Sequence, residues 1–272
     1  MTLKDRTALI TGSCGEGMGR SAALRLAREG VNIVLNYGTQ RRGAEMSDSA
    51  EKIATALEKL GGQVITCEAD TRSEEEVARM IEIARKKFGH VDILINNAGG
   101  AWQIRDYTEI DLAHWKEVLS AEIDGAFLTM KHIVPGMRER GWGRVIHLGL
   151  SGALGIEGVH GAPDYCLGKA ARSWMTTAFG MPELKKGITV NCIEPGLTPR
   201  MSLEDAVKTA EGGHLDAEVS AFEPGSEKAK WRGQWSERPG PLCHDVAEII
   251  AFLCSDAGKF VTGNLIRLPH FG

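Results

Sequence analysis

Tyr165 and Lys169 stand four residues apart in "HGAPDYCLGKAARSW" (160–174). In a helix that spacing sets both side chains on one face, about one turn apart. One reading is a half-buried phenol beside a solvated ammonium. The other is a proton donor tuned by a cation. A tyrosine at its reference pKa of about 10 is too weak an acid, and too weak a base, for neutral pH, and a nearby ammonium favours the phenolate. YxxxK alone does not choose between the two readings; the rest of the chain must.

A second constellation lies near the N-terminus. "ALITGSCGEGMGRSAALRLA" (8–27) runs as a strand, a glycine-rich turn and a helix. Gly12, Gly15, Gly17 and Gly19 let the backbone approach a ligand, and the helix N-terminus beyond favours an anion such as a pyrophosphate. The alternative is a tight structural turn. The next strand ends "LNYGTQRR" (35–42). A site for NAD places an acid there to bind the ribose hydroxyls. Asn36 stands at that point instead, and Arg41 and Arg42 follow, which suits the 2′-phosphate of NADP. Both arginines are also open to a reading as solvated residues at a helix entry.

The elements that must position these groups alternate along the chain. Residues 7–11, 31–36, 63–69, 91–96, 143–148, 188–193 and 264–268 are short, apolar and bounded by Gly, Asn or Asp, as strands buried on both faces are. Helical periodicity fills 19–30, 47–62, 73–89 and 245–256. The helix at 73–89 carries a capping box, Ser73 to Glu76, and a basic last turn. This alternation predicts a single α/β domain over 1–272, a doubly wound Rossmann-type fold with a mostly parallel seven-stranded sheet. Residues 197–242 break the rhythm with glycines, prolines, charges, Trp231 and Trp235. A connection of that length reads as a substrate lid, or as a solvated excursion or oligomer contact.

Composition narrows the function. The 272 residues are 43% hydrophobic and 25% charged, with a net charge of −4, and contain no run of Lys and Arg. Nucleic acid is therefore not an expected partner. No apolar run reaches the length of a membrane span. "MTLKDRTALITG" enters a strand directly and reads as carrying no signal peptide, so the expected location is cytoplasmic. The six cysteines form no CxxC pair, and no HExxH or acidic cluster suggests a metal.

Taken in order, "TGSCGEGMG", Asp70 after the third strand, "NNAG" (96–99), a serine at the fifth strand's end, Tyr165 with Lys169, "PG" (195–196) and "VTG" (261–263) resemble the short-chain dehydrogenase/reductase family over essentially the whole chain. The similarity is to the 3-oxoacyl-carrier-protein-reductase type, whose second strand also tends to end in "NY". The resemblance implies hydride transfer between a nicotinamide and a carbonyl or secondary alcohol. It makes Tyr165 the acid/base and Lys169 its tuner and a ligand of the nicotinamide ribose, with Ser151 steadying the substrate oxygen. It implies a dinucleotide, NADP or alternatively NAD, held by Gly12, Ser13, Gly17, Met18, Gly19, Asn36, Arg41, Arg42, Asp70, Thr71, Asn97, Ala98, Gly99, Tyr165, Lys169, Pro195, Gly196 and Thr198, and a homo-oligomer, dimer or tetramer. The chain departs from the family pattern at three points. The glycine loop is one residue longer, Gly152 occupies the usual serine position with Ser151 beside it, and Glu122 in "SAEIDGAF" stands where a catalytic Asn is usual. Glu122 would keep Lys169 charged while cancelling part of its field at Tyr165, opposed effects with a small expected sum. The alternative reading is a catalytically impaired cofactor-binding member serving as a sensor or assembly subunit.

Overall fold

Residues 3–38, 44–99, 103–154, 162–196, 198, 200–211 and 243–268 are described by a computed structural model of the chain. Its seven strands are β1 (Thr7–Ile10), β2 (Asn32–Tyr37), β3 (Val64–Glu68), β4 (Ile93–Asn96), β5 (Gly143–Leu148), β6 (Ile188–Glu194) and β7 (Leu265–Arg267). They form one sheet in the order β3-β2-β1-β4-β5-β6-β7, and every pairing among the described residues is parallel.

Continuous apolar strands need cover on both faces, and the helices supply it. These are α1 (Met18–Arg28), α2 (Ala44–Lys59), α3 (Glu74–Phe88), α4 (Leu112–Leu119), α5 (Gly125–Arg140), α6 (Pro163–Leu184), α7 (Leu203–Ala210) and α8 (Cys243–Cys254). Strand alternation sorts the core into two layers. Ala8, Ile10, Ile33 and Leu35 pack with Leu24 and Leu26 of α1, Ile53 and Leu57 of α2, and Val246 and Ile250 of α8. Leu9, Val34, Leu94 and Val145 pack on the other face with Met80 and Ile81 of α3 and Ile133 and Met137 of α5. Each such side chain contributes about 1.5–3 kcal/mol when fully buried.

The chain starts α3 as the sequence predicts at one half of the capping box. Ser73 Oγ accepts from the Glu76 N–H at 3.3 Å, but Glu76 Oε2 accepts from the Asp70 N–H at 2.7 Å instead of closing on Ser73. The cap thereby braces the loop after β3.

The strand order reverses between β1 and β4, which opens a crevice beyond their carboxyl ends. Of the expected lid, Thr198 and residues 200–211 are described, and 212–242, with Trp231 and Trp235, lie outside the described residues. The described part folds onto the glycine loop. Met201 N–H donates to Glu16 O at 3.2 Å, and the Arg20 guanidinium donates to the carbonyls of Met201 and Ser202.

Candidate active site

The crevice holds a cavity of about 500 Å³ that runs from Tyr37, Gly38 and Arg72, past Gly12–Met18, to Tyr165, Lys169 and Glu122. Its middle is the glycine loop. Gly12 has φ +60°, and a side chain there would meet the backbone of Ala98 at 2.9 Å, so only glycine fits this turn. Gly15 and Gly17 face open space, which leaves their backbone accessible to a ligand. Helix α1 starts after Gly17 with no side-chain cap and no acid in its first turn. Its first N–H groups and the positive end of its dipole are therefore available to an anion. The residue that lengthens the loop falls between Gly12 and Gly17, so Gly12, Gly17 and Gly19 keep their places at the turn and helix start. A dinucleotide's pyrophosphate fits this cradle.

Asn36 is buried and aimed at the loop. Its Oδ1 accepts from the Gly12 N–H at 3.1 Å, and its Nδ2 donates to Ala69 O at 3.0 Å and Cys67 O at 3.3 Å. Ser13 donates to the Asn36 carbonyl through both its N–H, at 2.9 Å, and its Oγ, at 3.3 Å. The amide thus ties β1, β2 and β3 together at the cavity wall. No carboxylate ends β2, and Tyr37 and Gly38 line the cavity there. Asp70 and Thr71 line it too, with Asp70 clamped by Arg72 through Nε and Nη2 at 2.9–3.1 Å. Arg41 and Arg42 lie outside the described residues. Two cations that the motif reading passed over, Arg72 and Arg200, line the same cavity, and Arg200 stands 4.0 Å from Glu16 across its mouth. Arg72 was detectable only as a basic neighbour two residues after Asp70.

The "NNAG" segment clamps the loop from β4. Thr11 Oγ1 accepts from the N–H groups of Asn97 and Ala98 at 3.0 and 2.9 Å, and Asn97 Nδ2 donates to the carbonyls of Thr11 and Gly12 at 2.9 and 2.8 Å. Gly19 must stay bare because a side chain there would strike Asn97 Nδ2 at 2.5 Å.

The far end of the cavity is built on α6. Pro163 opens the helix, and Tyr165 and Lys169 share one face, with Lys169 Nζ 5.3 Å from the Tyr165 ring centroid. Lys169 is 4% exposed and donates to Leu148 O at 3.0 Å. Ser120–Asp124 forms a widened helical turn in which the Gly125 N–H reaches back to Ser120 O, and such turns recur at functional sites. It carries Glu122, wholly buried, whose Oε2 meets Lys169 Nζ at 3.2 Å and Arg172 Nη2 at 2.9 Å. Arg172 gave no signal in the sequence, because a basic residue inside a helix reads as part of a solvated face.

The electrostatics differ from the expectation of a phenol lowered by its lysine. Burial, and then the Glu122 carboxylate, push the Tyr165 phenol above the ordinary tyrosine range, while Arg172 pulls it back. Burial, and then Arg172, bring Lys169 down to about 8 against the holding effect of Glu122. Tyr165 therefore rests protonated. The two opposed effects expected of Glu122 both appear: it holds the Lys169 ammonium charged and adds to the upward push on the Tyr165 phenol.

Ser151 lies just past β5, buried, with its N–H donating to Pro195 O at 3.0 Å. Gly152 has φ +82°, a conformation that favours glycine. Pro195 and Gly196 are buried, and Thr198 hydrogen-bonds the Cys243 thiol. Ser151, Pro195, Gly196 and Thr198 are not among the residues lining the cavity. Beneath the site, His147 is fully buried, and burial, then Arg172 and Lys169, push it down to about 3. Among the described residues no three His, Cys, Asp or Glu side chains gather as a metal ion requires, and no helix is long and apolar enough to cross a membrane.

The sequence profile of the short chain dehydrogenase family matches residues 6–210. The chain is 30% identical to acetoacetyl-CoA reductase of Allochromatium vinosum, over 95% of this chain and 94% of that one. It is 29% identical to cyclohexanol dehydrogenase of an Acinetobacter species, over 96% and 92% of the two chains. Among solved structures, a dehydrogenase/reductase from Sinorhizobium meliloti superposes with a TM-score of 0.78 at 26% identity, over 98% of this chain and 95% of that one.

Proposed function

The chain belongs to the short chain dehydrogenase family, a hydride-transferring oxidoreductase family that uses nicotinamide cofactors, and from that premise we propose that it is an NADP(H)-dependent carbonyl reductase or secondary-alcohol dehydrogenase with Tyr165 as its acid/base. The observation that carries this reading is the convergence on one cavity of an uncapped α1 N-terminus and the Tyr165–Lys169 pair.

When bound, the nicotinamide would supply or accept the hydride. Gly12–Met18 and α1 would hold the pyrophosphate, and Asn97, Ala98 and Gly99 would form the wall beside the nicotinamide half. Lys169, anchored on Leu148 O, would reach the ribose hydroxyls. Tyr165 Oη donates its proton to the substrate oxygen as the carbonyl becomes an alcohol, and takes it back in oxidation. By the family resemblance the Ser151 hydroxyl, buried just past β5, would steady that oxygen. The protonated resting state of Tyr165 serves reduction directly, whereas oxidation requires the phenolate and improves as pH rises.

Preference for NADP(H) over NAD(H) rests on the missing carboxylate at the end of β2 and on the arginines around it: Arg41 and Arg42 in sequence, Arg72 and Arg200 at the cavity. The substrate is a small molecule bearing a ketone or secondary alcohol, of the breadth that the names of its relatives span, from a ring alcohol to an acyl thioester. The protein works in the cytoplasm as a dimer or tetramer. Trp174 and Met181 of α6, 65% and 62% exposed, offer an apolar face for self-association. The direct test is turnover of a panel of ketones and secondary alcohols with each cofactor. Saturable binding of cofactor with no turnover of any member would instead favour a cofactor-binding sensor or assembly subunit.

A further inference from the structure

Arg172 takes no part in the reaction as described, yet it is heavily engaged at the cavity floor. Its side chain is 1% exposed. Nε donates to the Glu122 main-chain carbonyl at 2.9 Å, and Nη1 donates to Asn96 O at 3.0 Å and Leu148 O at 3.2 Å. Nη2 donates to Ala98 O and meets Glu122 Oε2 at 2.9 Å. Lys169 Nζ shares two of these partners, Leu148 O at 3.0 Å and Glu122 Oε2 at 3.2 Å. One carboxylate oxygen and one carbonyl oxygen are thus each held by both cations.

Glu122 with Lys169 alone would be a neutral pair beside Tyr165. With Arg172 added, one net positive charge remains. Removing Glu122 alone would leave two cations buried within reach of the same carbonyl, a costly arrangement.

Resting on the reading of Tyr165 as acid/base, we propose that Arg172 and Glu122 form one positioning unit: Arg172 offsets the Glu122 carboxylate beside Tyr165 and Lys169, while its planar fork fixes the carbonyl ends of β4 and β5 around the ammonium. The geometry suits a guanidinium, whose donors lie in one rigid plane, and not a second lysine. Glu122 raises the Tyr165 phenol and Arg172 lowers it, opposed in the sense the unit requires.

Other groups near α6 do not supply that balance. His147, from β5, stays neutral because it is pushed down to about 3. Cys192, from β6, is pushed up to about 12, and burial of Tyr165 beside Cys166 adds only to the upward push. Glu194 is engaged by Ser173 Oγ at 2.7 Å and Arg267 at 3.7 Å. His114, from α4, meets Asp164 at 3.4 Å and is common to all the variants below.

The test compares Glu122→Gln, Arg172→Met and the double variant. Two readouts are followed against pH: kcat/KM for alcohol oxidation, and tyrosinate absorbance as a difference from the same protein carrying Tyr165→Phe. The unit predicts opposite displacements of the Tyr165 limb, upward by about one pH unit in Arg172→Met and downward by about one in Glu122→Gln. The double variant returns the limb close to the parent's, with kcat no lower than in Arg172→Met, because only the fork on the β4 and β5 carbonyls is lost. Displacements in the same direction, no displacement, or a double variant with the summed losses of the two singles would overturn the proposal. If one single variant does not fold, the other carries the test: a limb displaced in its stated direction supports the unit, and an unmoved or oppositely displaced limb refutes it. Should the parent oxidise no alcohol, the proposed reaction fails, and the absorbance titration still decides the Glu122–Arg172 unit.

Discussion

Gly99 and Glu122 approach so closely that a single methyl group on residue 99 would run into the Glu122 carboxylate. Gly168 bounds the other side, where a methyl would meet Glu122 Cβ at 2.5 Å. Two glycines from separate elements therefore make the space in which a charged side chain sits wholly buried. Gly99→Ala should cost about 1–3 kcal/mol in chemical denaturation. The combined Gly99→Ala and Glu122→Ala change should recover part of the lost packing strain relative to the two costs added together. A Gly99→Ala protein as stable as the parent would contradict the contact.

Asn36 is a tie between strands, and its amide donors are spent on Cys67 O and Ala69 O. Asn36→Asp, the change suggested by comparison with NAD sites, should therefore not confer NAD preference. It should destabilise the fold by about 1–3 kcal/mol, because the carbonyls lose their donor and face a carboxylate. Urea denaturation with parallel cofactor titrations checks both halves. A stable Asn36→Asp protein that prefers NADH would show that the side chain faces the ribose.

On the proposed reading, cofactor choice is set by charge around the end of β2. NADPH should bind about 1.5–3 kcal/mol more tightly than NADH, the scale of a hydrogen bond to a charged group. Fluorescence titration of both measures the gap, and alanine at Arg41, Arg42 or Arg72 should narrow it. Equal affinity, or tighter NADH, would defeat the assignment.

His147 links stability to acid. Its pKa falls from 6.5 to about 3 on folding. Between those values the unfolded chain binds the extra proton, so stability is lost as pH drops from the unfolded value toward the folded one. From about pH 7 to about pH 5 this group should remove about 2 kcal/mol. His147→Gln should lack that component, as read from urea midpoints at the two pH values. Identical pH slopes for parent and variant would place His147 in a solvated setting.

The architecture was legible because strands buried on both faces leave an unmistakable rhythm: all seven expected strand segments coincide with β1–β7 to within a residue or two. The glycine loop and the Tyr165–Lys169 pair were legible because their chemistry depends on local spacing. Arg172 was not. Its partners Asn96, Ala98, Glu122 and Leu148 are between 24 and 76 residues away in sequence, and nothing local distinguishes a buried arginine from a solvated one. Ser73 is legible as a cap from its position before the helix, whereas the partner of Glu76 depends on where the loop after β3 returns.

The most direct test of the account is Tyr165→Phe, which removes one hydroxyl and little else. Turnover of the best ketone with NADPH and binding of NADPH by nicotinamide fluorescence are measured on the same preparation. The account predicts kcat lower by at least about 100-fold, the low end for acid–base catalysis, with cofactor affinity within about threefold of the parent. A Tyr165→Phe protein that turns over near the parent rate would contradict it and return Tyr165 to the role of a half-buried ring beside a charge.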